Sequence, residues 1–221
     1  MCFNPTASLI AFSIGIVSLI ILLYLKLYNS SIIVLYLSIM QLLEYYAHVS
    51  IINKDNNTNI FTSKLIFIFA LIQPILYYIS TILTKGPYHF KNANKYLFLL
   101  PCYVLFLVIF YFYLNSKNVF KTTYLNNTCD NICRLSWDFF GYNKIFTIIS
   151  FMFYICICLI FWKKYALVYY AHVLILISVI YTLFLSRDIK ILLSIFGSIW
   201  CFLAVTYGPL VILDHFGYFK L

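Results

Sequence analysis

What this chain lacks is charge. Only 10% of its 221 residues are Asp, Glu, Lys or Arg, against 64% hydrophobic and 21% aromatic, too little polar surface to wet a soluble domain. It also lacks the alternation of apolar and polar residues that a membrane β-barrel strand requires: the runs LIFIFALI and YVLFLVIFYFYL are apolar at every position. No internal repeat can be found, nor any linker long enough to separate modules, which leaves one domain over residues 1–221. The first apolar stretch has no basic start of the kind that marks a cleavable signal, so it reads as a membrane helix. With soluble, barrel and multi-module architectures set aside, the expected class is an all-α, polytopic membrane protein.

What is present fits that class. A helical span takes about 20 mostly apolar residues, and such stretches occur at about 7–25, 31–50, 64–84, 96–114, 144–162, 165–185 and 191–213. A seven-transmembrane-helix bundle is the expected architecture, with the lipid bilayer as its main partner. The net charge of +9 speaks for topology rather than nucleic acid, because Lys and Arg gather in short cytoplasmic loops. With seven spans, Lys26, Lys85, Lys91, Lys95, Lys163, Lys164 and Lys220 share one side with a single acid, Asp214. Setting aside the interior of the long loop 115–143, that side is the more basic. This places the C-terminus in the cytoplasm and the N-terminus outside or in a lumen. Glycosylation sequons at Asn56 and Asn126 fall on the outer side and agree with this orientation, whereas a third at Asn29 falls on the inner side.

Cys102, Cys156, Cys158 and Cys201 fall in spans and read as small packing residues. Cys2, Cys129 and Cys133 share the outer side, where Cys129–Cys133 is the favoured disulfide in an oxidising compartment. The CDNIC segment has no further ligand nearby except Asp130, which argues against zinc. Pro74, Pro101 and Pro209 each fall in a span and are expected to kink it. Helices one and two are joined by about five residues, KLYNS, and must be antiparallel neighbours.

Against this apolar background Gln41, Glu44 and His48 stand out. At about 100° per residue they fall within an arc of about 60°, widened to about 120° by Ser38 and Tyr45, while Ile39, Leu42, Leu43 and Ala47 point elsewhere. The second helix therefore has a polar face that belongs inside the bundle, since an ionisable group at membrane depth needs a partner. Gln73 near mid-membrane in helix three, and Ser194 and Ser198 with Gly197 and Cys201 on one face of helix seven, are the candidates for the opposing walls of a ligand pocket. Helix-to-helix glue by interhelical hydrogen bonds is the plain alternative. His172, Asp214 and His215 belong to the inner half, about 10 Å in depth from Glu44 by the helical rise, so no metal centre is expected; nor is any cofactor. Residues 191–213 contain no Lys, which excludes a retinal Schiff base.

The opening MCFNPTAS, the segment IMQLLEYYAHV, the QP of helix three and GSIWCFLAVTYGP of helix seven together resemble an uncharacterised family of seven-helix membrane proteins encoded by giant DNA viruses, with bacterial relatives. That family typically begins MCFS or MCWS followed by AS, carries Gln-x-x-Glu in helix two and has GSLWC-like residues in helix seven. Asn4 stands here where Ser is usual, and His48 where an aromatic often stands, which leaves Gln41 and Glu44 as the stronger pair. The resemblance implies a fold and a viral source but no activity. Three functions are therefore carried forward: a small-molecule or ion receptor, transporter or channel with a pocket around Glu44; a structural or assembly protein of a viral or host-derived membrane; and a membrane-embedded lipid-modifying enzyme.

Overall fold

The computed structural model describes residues 4–84, 98–124, 135–161 and 205–218, and most of them are helical. Helix α1 (Pro5–Tyr24) starts where the Asn4 side chain accepts a hydrogen bond from the Ala7 N–H at 2.7 Å and Pro5 takes the first turn. A side-chain cap followed by a residue with no N–H to lose is a favourable helix start. The helix ends with Lys26 at φ 59°, the left-handed cap that lets Leu27 N–H reach Leu22 C=O at 2.9 Å and Lys26 N–H reach Leu23 C=O at 3.0 Å. The chain thus reverses between Tyr24 and the start of α2 (Tyr28–Ile52), a tighter joint than KLYNS suggested.

The end of α2 repeats the device with Lys54 at φ 54°, and Asp55 N–H closes on Ser50 C=O at 2.9 Å. Asp55 then caps α3 (Asn56–Thr84): its Oδ1 accepts from Asn57 N–H at 3.0 Å and Thr58 N–H at 3.1 Å, and its Oδ2 from the Thr58 hydroxyl at 2.6 Å. This cap starts α3 well before residue 64, where the apolar run begins. The first two turns are consequently polar and carry Asn59 and Ser63.

Helix α4 (Leu99–Ser116) holds Pro101 in its first turn, where no intrahelical bond is lost, so this proline makes no kink. Helix α3, by contrast, continues through Pro74, which cannot donate to the Ala70 carbonyl. Around that gap the Tyr36 hydroxyl donates to Phe69 C=O, and the Tyr103 hydroxyl to Leu71 C=O at 2.7 Å. Neighbouring helices thus serve this stretch of backbone, as apolar surroundings demand.

The loop after α4 folds back. Strand β1 (Thr122–Tyr124) pairs antiparallel with β2 (Leu135–Trp137) in the register Thr122↔Trp137, Thr123↔Ser136 and Tyr124↔Leu135. The five-residue α5 (Asp138–Tyr142) and then α6 (Lys144–Phe161) follow, and residues 205–215 form α7. Helices α1, α2 and α4 are each long and apolar enough to cross a membrane. Among them α2 is central: 61% of its most apolar window is buried, against 28% for α1 and 22% for α4. Leu43 and Ala47, which point away from the polar face, are buried as well. Cys102 and Cys156 are exposed rather than packed. The span expected at 165–185 and the Cys129–Cys133 pair lie outside the described residues, as does the stretch of the last span before residue 205.

Candidate functional site at the polar face of α2

Helix α1 meets α2 along Ser8, Ala11, Gly15, Ser18 and Leu22, its buried residues. Their spacing of three and four makes a narrow stripe of mostly small side chains, which lets two backbones approach closely. The approach is closest at Gly15, where an added Cβ would lie 2.0 Å from Ser38 Oγ. Helix α7 enters at the same seam: a Cβ on Gly208 would lie 2.6 Å from Ser18 Cβ and 3.4 Å from Val34 Cγ2. Helix α3 packs on the other side of α2, through Ser50 to Asn59 and through Tyr36 to Phe69.

These contacts orient the polar face. Measured around the α2 axis at about 100° per residue from Ser38, Val34 lies at about −40°, Gln41 at −60°, His48 at −80° and Glu44 at −120°. Ser50 and Tyr36, the residues that touch α3, lie at about +120° and +160°. Gln41 and His48 are therefore turned toward the side where α7 enters and away from the α3 contact, while Glu44 lies between the two, about 80° from both Val34 and Tyr36. All three side chains have 0% exposure.

Gln73 is also buried, at 1%, but it belongs elsewhere. The α2–α3 register set by Ser50–Asn59 and Tyr36–Phe69 puts Gln73 opposite residues 33–34 of α2, roughly 10 Å from Gln41 by helical rise. There its amide oxygen accepts from the Tyr154 hydroxyl of α6. Ser194 and Ser198 lie outside the described residues, as does His172. His215 is exposed at the end of α7, and no group of three or more metal-ligating side chains occurs among the described residues.

A folded cap covers the end of α2 nearest His48. The Asn59 side chain donates to Ser50 Oγ at 3.1 Å and to Thr122 C=O at 3.0 Å, and accepts from Thr122 N–H at 3.0 Å. Ser63 and Thr122 share a hydroxyl hydrogen bond at 2.8 Å. Asp138 ties the strands and α5 together: the Thr123 hydroxyl donates to its carboxylate at 2.9 Å, the Ser136 hydroxyl at 3.0 Å, and its own N–H donates to Lys121 C=O at 3.1 Å. Beneath lies an aromatic core in which Phe67 of α3 meets the rings of Phe110, Phe120, Phe139 and Phe140 at 5.4–5.9 Å, and Trp137 lies 5.9 Å from Phe140.

From this cap the Tyr124 ring lies 5.7 Å from the His48 imidazole. Burial pushes the Tyr124 phenol above its ordinary value, so it stays neutral over the physiological range. Its hydroxyl is buried and makes no hydrogen bond. Neither Tyr124 nor Ser8 was singled out by the apolar pattern. Tyr124 is found only through the folding of the loop, whereas Ser8 was signalled by the small-residue spacing it shares with Ala11, Gly15 and Ser18. No family model, no curated protein and no solved structure matches this chain.

Proposed function

We propose that this chain is a seven-span membrane protein, of the viral kind its motifs resemble, that handles a small molecule or ion at a pocket centred on Glu44. The proposal is for a receptor, transporter or channel, with the cap on the outer or lumenal side. One observation carries it. Gln41, Glu44 and His48 are buried together on a single face of α2, the most enclosed of the three helices long and apolar enough to cross a membrane. A carboxyl at membrane depth costs several kcal/mol without compensation, and such residues mark ion and substrate pathways. Ser50 and Asn59 join α2 to α3, and Ser63 joins α3 to β1.

Glu44→Gln separates these roles, because it keeps shape and hydrogen-bonding capacity while removing the titratable proton. In full-length protein reconstituted into liposomes, it is expected to abolish uptake or efflux of the transported species while leaving the melting temperature in detergent within a few degrees. A large loss of thermal stability with no transport in either protein would support the assembly reading instead.

A further inference from the structure

Two buried hydroxyls border the Glu44 stretch without a hydrogen bond, Ser8 Oγ of α1 and Tyr124 Oη of β1. Ser8 is fully buried. Its neglect is specific, because Ser31, Ser38 and Ser150 each turn back onto the carbonyl four residues earlier, at 2.7–2.9 Å. The α1–α2 register places it. Gly15 meets Ser38, and Ser18 and Val34 meet Gly208 together, so seven residues up α1 from Gly15 and seven along α2 from Ser38 set Ser8 opposite Tyr45. Seven residues are close to two full turns, so both positions keep the face of the contact. Gln41 lies about one turn to one side of that level and His48 about one turn to the other.

Tyr124 reaches the same stretch from the cap, through its contact with His48. Hydroxyls from two further elements thus frame the polar face of α2 between residues 41 and 48. Buried hydroxyls are ordinarily satisfied by protein or by ordered water, and water occupies polar internal sites that offer it two to four partners.

Resting on the Glu44 reading above, we infer that Ser8 and Tyr124 anchor a hydrated passage from the cap to Glu44 and that the ion handled there is the proton. The Glu44 carboxylate takes a proton from water on the cap side, becoming a neutral carboxyl, and gives it to water on the far side, which restores the carboxylate. The other titratable groups facing this stretch among the described residues are His48 and Tyr45 of α2 and Tyr124 of β1. The buried face of α1 carries no ionisable side chain, and α3 offers Ser63 and Lys64 at that depth, the Lys64 ammonium lying 5.9 Å from the Phe120 ring.

The test uses full-length protein in liposomes loaded with a pH-reporting dye, with a potassium gradient and valinomycin supplying the driving potential. Wild type is expected to acidify the lumen, and Glu44→Gln to slow this at least about ten-fold. Ser8→Ala and Tyr124→Phe are each expected to slow it about five-fold by removing one anchor, while Ser8→Thr, which keeps the hydroxyl, restores the rate. Ser8→Ala should leave thermal stability nearly unchanged, because the hydroxyl it removes makes no hydrogen bond to the protein. Proton flux that depends on Glu44 but not on Ser8 or Tyr124 overturns the passage and leaves the Glu44 site standing. Glu44-dependent uptake of radioactive sodium without acidification overturns the proton assignment alone. Absence of any Glu44-dependent flux of either ion overturns both this inference and the reading on which it rests.

Discussion

At the scale of single residues, the α1–α2 seam depends on what is missing at Gly15. An added methyl would overlap the Ser38 hydroxyl at 2.0 Å, with Ser38 Cβ at 3.1 Å behind it. Gly15→Ala is expected to destabilise the protein by about 1–3 kcal/mol, the usual cost of overpacking. Adding Ser38→Ala should recover some of that loss, so the double variant will not be the sum of the singles; thermal unfolding of the four proteins in detergent measures it. Asp55 is a different kind of device. Its hydrogen bonds with the Thr58 side chain, then the Thr58 and Asn57 backbone, hold its carboxyl below the ordinary 3.8. A depressed folded-state value means that its contribution is present above 3.8 and is lost as pH falls through the lower folded value. Asp55→Asn is therefore expected to lower stability at neutral pH, and the gap to wild type should narrow as the medium is taken below 3.8; parallel melting curves across that range read it directly.

At the scale of elements, the described parts of the loop after α4, residues 117–124 and 135–143, form a docked cap, and Asn59 is its clasp. Removing that side chain deletes both of its donated hydrogen bonds and the one it accepts from Thr122 N–H. Asn59→Ala is expected to cost about 2–3 kcal/mol locally, and to speed amide exchange at residues 122–124 and 135–137 while the interior of α2 stays protected. Uniform exchange across the chain would contradict such a cap. The contrast between loop and helices explains what could be read in advance. The apolar runs of α1, α2 and α4 announce themselves because lipid demands both length and composition, and the spacing of Gln41, Glu44 and His48 announces a common face. The start of α3 was hidden, because it depends on the Asp55 cap and on polar residues that look like loop. The cap was hidden too: its strands have three residues each, and its stability comes from rings such as Phe67 and Phe139, which are far apart in sequence. Gln73 shared a residue type with the site but not its depth, a difference that only the α2–α3 register exposes.

At the scale of the whole molecule, α2 is the axis: α1 meets it at Ser38, α7 at Val34 and α3 at Tyr36 and Ser50, the cap lies over its end, and Gln41, Glu44 and His48 occupy the face between the α7 and α3 contacts. In the proposed reading this buried carboxyl is reached by water or a ligand, and that access is what would separate a site from an interhelical bond. The most direct check is covalent. Dicyclohexylcarbodiimide enters the bilayer and reacts with protonated, reachable carboxyl groups, and mass spectrometry of the digested protein locates the adduct. The folded, reconstituted protein is predicted to be modified at Glu44, faster as pH is lowered and with loss of whatever flux the wild type supports. A Glu44 that stays unmodified until the protein is unfolded would contradict the account, for it would be a carboxyl sealed into packing.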